Sequence, residues 1–419
     1  MQYEGVSLYE GGVVHSTVVK QRQFSDEIVQ LKFDNTNMVN GALGGLFSVS
    51  DNRQVQFSQG NLQYVKSSDK WLFMEHQYDM MEEDGQDVGE DYSRQDVVSF
   101  FGWGTSGYDC GNVHFKPWET AMGDESIAAQ YGPFGEFDLT GSYADCDWGY
   151  YNPISNGGDK PQLWRTMTYN EWTYVFDKRR ASTVNGVHNA RYVKAMIANT
   201  KGIILFPDHY IHPEGVQQPS GINDIDDWGT LFSLEEWTLM EQAGCVFLPA
   251  AGYRMGTSVE SVGSYGTYAT ATHYDNIAAY SIDFNLSSNN LWVYDYKTIR
   301  CFGTSVRLVR DAGPAPAATL PTVITTWVAN VTQTFADCAG EVIDDGGAPV
   351  TARGFCWNTV GLPTLADSHT LDGSGMGSYT SQMTGLTPGQ TYYVRAYVTN
   401  GVGTAYGNEV VFTTLAEGN

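Results

Sequence analysis

Positive charge is scarce in this chain: 23 Lys and Arg stand against 48 Asp and Glu in 419 residues, a net charge of −25. Such a chain lacks the basic surface that neutralises phosphates, so nucleic acid is excluded as an expected partner. No apolar run approaches the ~20 residues of a membrane-spanning helix, and we expect no membrane span. Residues 1–6 also lack the charged and apolar segments of a secretion signal. Either a leader is missing from this sequence, or the protein leaves its cell by another route, as part of a virus particle.

Metal-binding patterns are absent as well. None of the six cysteines forms a CxxC motif and no histidine cluster has zinc spacing, so we expect no metal and no cofactor. Cys110 and Cys146 lie in loops rich in Gly, Tyr and Asp, and Cys338 and Cys356 share one small domain. Either pair could form a disulfide; the alternative is six small, mostly buried thiols.

Glycine (46 residues) and tyrosine (26) are abundant, which favours a β-rich, loop-rich extracellular protein. Two helices are nevertheless predicted, each from a capping box in which Glu follows a hydroxyl residue at the third position. The first covers 168–176, with Thr168 and Glu171. The second covers 233–242, with Ser233 and Glu236.

Composition shifts divide the chain into four segments. Residues 1–44 read as an arm for attachment or oligomerisation, because they are too few to form a core. A large domain covers 45–311, and a Pro/Ala-rich linker covers 312–321. Short alternating strands separated by turns at 322–415 predict a β-sandwich.

Aromatic residues alternate at the end of the large domain. Trp292, Tyr294 and Tyr296 are spaced two apart, so on an extended chain their rings share one face. Rigid rings among Ser, Asn and Gly are typical of a recognition surface. A buried face of an amphipathic core strand predicts the same pattern, and both interpretations stay open on spacing alone.

The C-terminal segment resembles the fibronectin type III-like modules of Bacteroidota surface proteins. The resemblance rests on residues 346–357, 385–397 and 407–410. It implies an all-β immunoglobulin/fibronectin-III-like sandwich that acts as a spacer or adhesive module.

The large domain resembles the C-type-lectin-fold domains of Bacteroidota and their phages, which implies an α+β C-type-lectin-like fold. The residues that carry the resemblance are 57–64, 101–107, 154–158, 164–168, 246–254 and 305–310. The same fold class includes formylglycine-generating enzymes and variable ligand-binding proteins diversified by retroelements. Fold alone does not choose between enzymes and binders.

Motifs for chemistry are missing from this domain. A formylglycine-generating enzyme needs a close cysteine pair, whereas only Cys301 lies in the corresponding region. The tripeptides with which lectins of this fold bind sugar through calcium are absent too. We therefore predict a non-enzymatic protein.

In the retroelement-diversified relatives the variable positions precede an ending like residues 305–310. The resemblance thus implies a set of ligand-binding residues: Tyr265, Ile277, Ser281, Asp283, Trp292, Tyr294, Tyr296, Thr298, Phe302 and Thr304. Adenine mutagenesis of an Asn codon can reach the other types in this set but not Trp, so Trp292 departs from the simplest scheme.

The expected function is extracellular recognition. The leading hypothesis is a tail, fibre or capsid-decorating protein on the surface of a phage virion, which binds a host cell-surface glycan or protein. Other virion or surface-structure subunits are expected partners, and homo-oligomers would add avidity. The alternatives are a bacterial surface lipoprotein or pilus-tip adhesin, an enzyme on the same fold, and a decoration with no specific ligand.

Overall fold

The computed structural model describes residues 4–7, 17–20, 39–80, 96–118, 125–224, 229–255, 258–286, 290–292, 297–313 and 318–418; at 4–7, 17–20, 125 and 290–292 it describes the backbone alone. The chain divides into two compact units, Met1–Ala315 and Pro316–Asn419. Over these ranges both units consist mainly of β-strands, and the α-helices are few and short. No helix in the described ranges is long and apolar enough to cross a membrane.

The first unit is a set of small, mostly antiparallel sheets. Its strands are β1 Glu4–Ser7, β2 Thr17–Lys20, β3 Phe47–Ser50, β4 Arg53–Phe57, β5 Leu62–Val65, β6 Lys70–Phe73, β7 Val97–Val98, β8 Tyr192–Ile197, β9 Thr200–Leu205, β10 Thr230–Phe232, β11 Val246–Pro249, β12 Tyr253–Met255, β13 Ser258–Glu260, β14 Tyr265–His273, β15 Ala278–Asn285, β16 Asn290–Trp292, β17 Lys297–Ile299 and β18 Val309–Gly313. They pair in the orders β1-β2, β18-β4-β3, β6-β5-β7, β10-β8-β9-β11, β12-β13 and β14-β15-β16, with β17 also paired to β15.

Short helices connect these sheets. The α-helices are α1 Trp148–Tyr151, α2 Tyr169–Thr173 and α3 Leu234–Gln242; a π-helical turn follows at Tyr174–Lys178, and 3₁₀ turns lie at Lys66–Ser68, Glu125–Gln130 and Gly141–Cys146. Both predicted capping boxes are confirmed, since the hydroxyls of Thr168 and Ser233 accept from the backbone N–H of Glu171 and Glu236, whose carboxylates accept in return.

The first predicted helix differs from its expected course. After Thr173 the backbone widens into the π turn, and the N–H of Arg179 donates to the Tyr174 carbonyl over 2.8 Å. This wider turn places the guanidinium of Arg179 inside the protein, where it pairs with Asp208 at 3.1 Å. Because a buried cation needs a fixed partner, the tertiary pairing determines the local geometry.

The two ends of the predicted large domain meet in one sheet. β18 pairs with β4 in the register Val309↔Phe57. Beside this pair, Arg165 holds Glu171 through two hydrogen bonds of 2.8 and 2.9 Å and holds Asp311 through a third of 2.8 Å. β4 near the start of the domain and β18 at its end are therefore connected by backbone pairing, and Arg53 of β4 also pairs with Asp311 of β18 at 3.2 Å.

The second unit is a two-sheet β-sandwich. Its strands are β19 Thr322–Ala329, β20 Phe335–Asp344, β21 Ala352–Asn358, β22 Ser368–His369, β23 Gly377–Thr384, β24 Thr391–Thr399, β25 Thr404–Tyr406 and β26 Val410–Thr413. One sheet has the order β19-β20-β23 and the other β22-β21-β24-β25, with β26 also on β24. The core between them includes Val342, Phe355, Met383 and Val394, all completely buried.

Candidate ligand-binding site

The candidate site begins at the turn after β11. Gly252 has a φ of +78°, and a Cβ there would lie 2.2 Å from the carbonyl oxygen of Glu260, so only glycine fits. Arg254, two residues further on, is completely buried. Its backbone exchanges two hydrogen bonds with that of Gly303, of 2.8 and 2.9 Å. This exchange fixes β12 beside the turn that follows β17.

Three half-buried rings meet there. The Tyr253 ring centroid lies 5.9 Å from that of Tyr265 in an edge-on contact, and 6.4 Å from that of Phe302 in a stacked one. The rings come from β12, from the start of β14 and from the turn after β17. We call Tyr253, Tyr265 and Phe302 the aromatic trio. Half-buried aromatic residues supply contact area with little loss of side-chain entropy on binding.

A polar cluster adjoins the trio. Tyr265 Oη donates to Asp283 Oδ2 over 3.0 Å, and the Ser281 and Thr298 hydroxyls lie 2.8 Å apart. Thr267 faces Asp283 in the register of β14 and β15. Within the described residues, Asp283 Oδ1 and Thr267 Oγ1 are buried without a hydrogen-bond partner. Burial raises the pKa of Asp283 to about 8, although the hydrogen bond from Tyr265 opposes the shift. At neutral pH this carboxyl is largely protonated and can both donate and accept.

Seven of the ten predicted ligand-binding residues have described side chains. Tyr265, Thr298 and Phe302 are half-buried and Ile277 is exposed. Ser281, Asp283 and Thr304 are buried. Ser281 and Asp283 lie two apart on β15 and so share one face of that strand, and the backbone of Thr304 pairs with Phe101. These three side chains do not face solvent, so burial separates them from the other predicted residues.

The aromatic alternation itself lies mostly outside the described residues. Tyr294 and Tyr296 fall in the undescribed stretch 293–296, and of Trp292 only the backbone is described. That backbone pairs β16 with β15 in the register Asp283↔Trp292. The choice between an exposed face and a core strand for these rings stays a prediction.

The predicted set of ligand-binding residues omitted one contributor. Tyr253 belongs to the framework-like stretch 248–254 and shows its role only through its contacts across the turn. At the other end of β14, His273 Nδ1 pairs with Asp138 Oδ1 at 2.7 Å; none of the contacts described here joins this pair to the site. In the described ranges no three His, Cys, Asp or Glu side chains gather closely enough to hold a metal ion.

Comparison with known proteins gives a partial answer. No protein-family model matches the chain, and no curated protein matches it. Solved structures with some likeness include the sensor domain of the anti-sigma factor RsgI4 in Pseudobacteroides cellulosolvens, at 15% identity over 24% of this chain and 99% of that one, with a TM-score of 0.19. The 6th fibronectin type III domain of human fibronectin type III domain containing protein 3 is 21% identical over 25% of this chain and 92% of that one, with a TM-score of 0.19. The third fibronectin III domain of human KIAA0343 protein is 16% identical over 26% of this chain and 95% of that one, also with a TM-score of 0.19.

The protein is mostly β, with few helices in its described part, and its second unit is a two-sheet β-sandwich. The C-type-lectin-like fold expected for 45–311 stays a prediction.

Proposed function

We propose that this chain is a non-enzymatic recognition protein that binds its ligand through residues 253–304 of the first unit. The observation that carries the proposal is the aromatic trio with its adjoining polar cluster. Of the residues that the resemblance implied as ligand-binding, Tyr265, Asp283 and Phe302 are joined through Tyr265 and Tyr253. Ser281 and Thr298 form a second pair, two residues before Asp283 on β15. Rings and hydroxyls in this arrangement recognise by contact area and hydrogen bonds.

We further propose that the first unit is a C-type-lectin-like domain. Its motif residues support this reading because they act as framework: Val306, Leu308 and Val309 are core residues and Arg307 is buried. Arg307 donates to Asn61 of an earlier motif at 3.4 Å. The proposed setting is the surface of a phage virion that binds a host cell-surface glycan or protein, and the fibronectin-like unit is the proposed spacer.

Binding of fluorescently labelled protein to intact cells of a panel of Bacteroidota strains tests this function. We expect binding to at least one strain, and a loss of about tenfold or more in the variant Tyr253→Ala/Phe302→Ala, since each ring contact contributes about 1 kcal/mol. A triple variant Trp292→Ala/Tyr294→Ala/Tyr296→Ala tests whether the three alternating aromatic residues also bind the ligand. Trp327→Ala, which removes an exposed ring in the second unit, is the matched control.

Unchanged binding by both variants would overturn the site, and failure to bind any strain would count against the function. Sequencing around the gene decides the setting: a virion gene cluster supports the phage surface, whereas an upstream lipoprotein signal supports the bacterial adhesin.

A further inference from the structure

A separate cavity of about 330 Å³ lies among β5, β6, α1 and the loop at 106–118. It shares no residue with the 253–304 surface. Its walls include the rings of Tyr64, Trp71, Trp118 and Tyr151 and the charged groups of Asp69 and Lys116. The volume is at the lower end of the range for small-molecule sites, about 300–1,000 Å³.

The inner wall of this cavity is rigid. Tyr64 and Trp71 are both buried, with exposures of 3% and 5%, and their ring centroids lie 4.9 Å apart. Tyr64 Oη donates to Asp69 Oδ1 over 2.7 Å, which fixes the carboxylate at the edge of the ring wall. The rings and the carboxylate are therefore positioned before any ligand arrives.

The outer wall consists of rings that remain in water. Trp118 is 39% exposed and Tyr151 is 40% exposed, although aromatic residues of this size normally bury most of their surface. Trp118 stacks on Tyr64 at 6.0 Å with 25° between the planes, and Lys116 Nζ lies 5.3 Å from the Trp118 ring centroid. A ligand that enters the cavity would cover apolar surface on both walls.

A fixed amide adds a hydrogen-bonding group to the wall. Asn152 is 9% exposed, and its Nδ2 donates to the carbonyls of Ser106 and Trp148 over 2.8 and 3.0 Å. With both amide hydrogens committed to the backbone, the carboxamide oxygen is the group left to accept from a ligand. The wall thus combines flat rings with a carboxylate, an ammonium and an amide oxygen.

We propose that this cavity binds one neutral pyranose ring of a glycan. A pyranose has flat faces of C–H groups that pack on aromatic rings, and an edge of hydroxyls that both donate and accept. Its hydroxyls would donate to Asp69 and Asn152 and accept from Lys116. A purely apolar ligand would displace water from the polar groups of the wall without replacing its hydrogen bonds, at a desolvation cost. An anionic ligand would be repelled by Asp69 and by the net charge of −25, and a cationic ligand would be repelled by the ammonium group of Lys116. This proposal does not rest on the function of the 253–304 surface.

Saturation-transfer NMR on the full chain tests the proposal, with the methyl pyranosides of glucose, mannose, galactose and N-acetylglucosamine as probes. We expect transfer to ring protons of at least one probe, with a dissociation constant on the order of millimolar for so small a ligand. Trp118→Ala/Tyr151→Ala should weaken this binding by about tenfold or more, because two stacking surfaces are lost. Asp69→Asn, which keeps an acceptor for Tyr64, should weaken it less.

Trp327→Ala is the matched control for loss of an exposed ring, and Tyr253→Ala/Phe302→Ala separates this cavity from the other surface. Both should bind the pyranoside like the native protein. Circular dichroism checks that the cavity variants fold, as expected for exposed side chains. The proposal is overturned if no neutral pyranoside binds, if the cavity variants bind it unchanged, or if methyl glucuronide or indole binds while the neutral probes do not.

Discussion

The phenol of Tyr265 donates a hydrogen bond to the carboxyl of Asp283 over 3.0 Å, at a position where that carboxyl is completely buried. The first residue lies at the start of β14 and the second on the paired strand β15, so the contact joins the half-exposed trio to a polar group inside the sheet. At neutral pH a carboxyl that has lost its water is more stable protonated than ionised, and the one neutral donor offsets only part of that cost.

Asp283 should make the stability of the first unit depend on pH. Burial raises its pKa to about 8 in the folded protein, against an unfolded value near 3.8. Between these values the folded state binds the extra proton, so the free energy of unfolding falls as the pH rises from about 4 to about 8. Asp283→Asn, which is neutral throughout, should remove this slope and stabilise the protein at pH 8 by a few kcal/mol. Urea unfolding of both proteins at pH 5, 6.5 and 8 measures the free energy of unfolding at each pH. The same pH dependence in the native protein and in the variant would contradict the prediction.

Removing the carboxylate of Asp208 should destabilise the first unit strongly. Asp208 pairs with the completely buried Arg179 at 3.1 Å and accepts from Ser48 and Gln54 through its other oxygen. Asp208→Ala leaves the guanidinium buried without its partner, and we expect a loss of about 3–5 kcal/mol. Thermal unfolding of this variant is compared with Glu214→Ala, which removes an exposed carboxylate and should change little. A loss as small as that of the control would show that Arg179 finds another partner.

The two capping boxes should differ in their sensitivity to charge. Glu171 is held by Arg165 in a two-pronged pair and also contacts Arg53 at 3.1 Å. Glu171→Gln keeps the shape of the side chain and one acceptor oxygen for the cap but loses the charge, so we expect a destabilisation of about 2 kcal/mol. Glu236→Gln makes the same change in a cap without arginines among its described contacts and should cost about 0.5 kcal/mol. Chemical denaturation of both variants measures the difference, and equal losses would refute the role of the arginines.

Cys110 should be the most reactive thiol of the protein. All six cysteines are free, and Cys110 is the half-buried one while the other five are buried. A hydrogen bond from Cys146 lowers the pKa of Cys110, whereas burial raises the pKa of Cys338 and Cys356 to about 12. Because the thiolate is the nucleophile, iodoacetamide should modify Cys110 first. Peptide mass mapping of the native protein measures the order in which the cysteines are modified, with Cys110→Ser as control.

Labelling of Cys338 or Cys356 as fast as Cys110 would contradict this order. Resistance of Cys110 that disappears when a reductant is added would show that it is bridged to Cys146 in the purified protein.

Much of the local structure could be predicted from the sequence. The capping boxes at Thr168 and Ser233 were predictable because a cap depends on residues three positions apart. The alternation in 322–415 predicted short strands for the same reason, since the side-chain period of a strand is local. The π turn after Thr173 was not predictable, because the pairing of Arg179 with Asp208 across 29 positions determines it.

The candidate site shows the same division. The resemblance indicated Tyr265 and Phe302, but their contact with Tyr253 depends on the backbone exchange between Arg254 and Gly303. Burial of Ser281, Asp283 and Thr304 depends on what packs against them in the folded protein, and the spacing of side chains along the chain carries no information on that packing. The cavity at Trp118 is built from segments up to 88 positions apart, taking Tyr64 and Asn152 as its outermost residues.

The sequence by itself determined the acidic, Tyr- and Gly-rich character of the chain, its capped helices and the alternation of its strands. These properties follow from composition and from interactions between near neighbours in the chain. Only the tertiary structure decided which polar groups lose their water, as Asp283 does, and which rings keep theirs, as Trp118 does. Solvent exposure is a property of packed surfaces, and packing brings together residues whose separation along the chain is large.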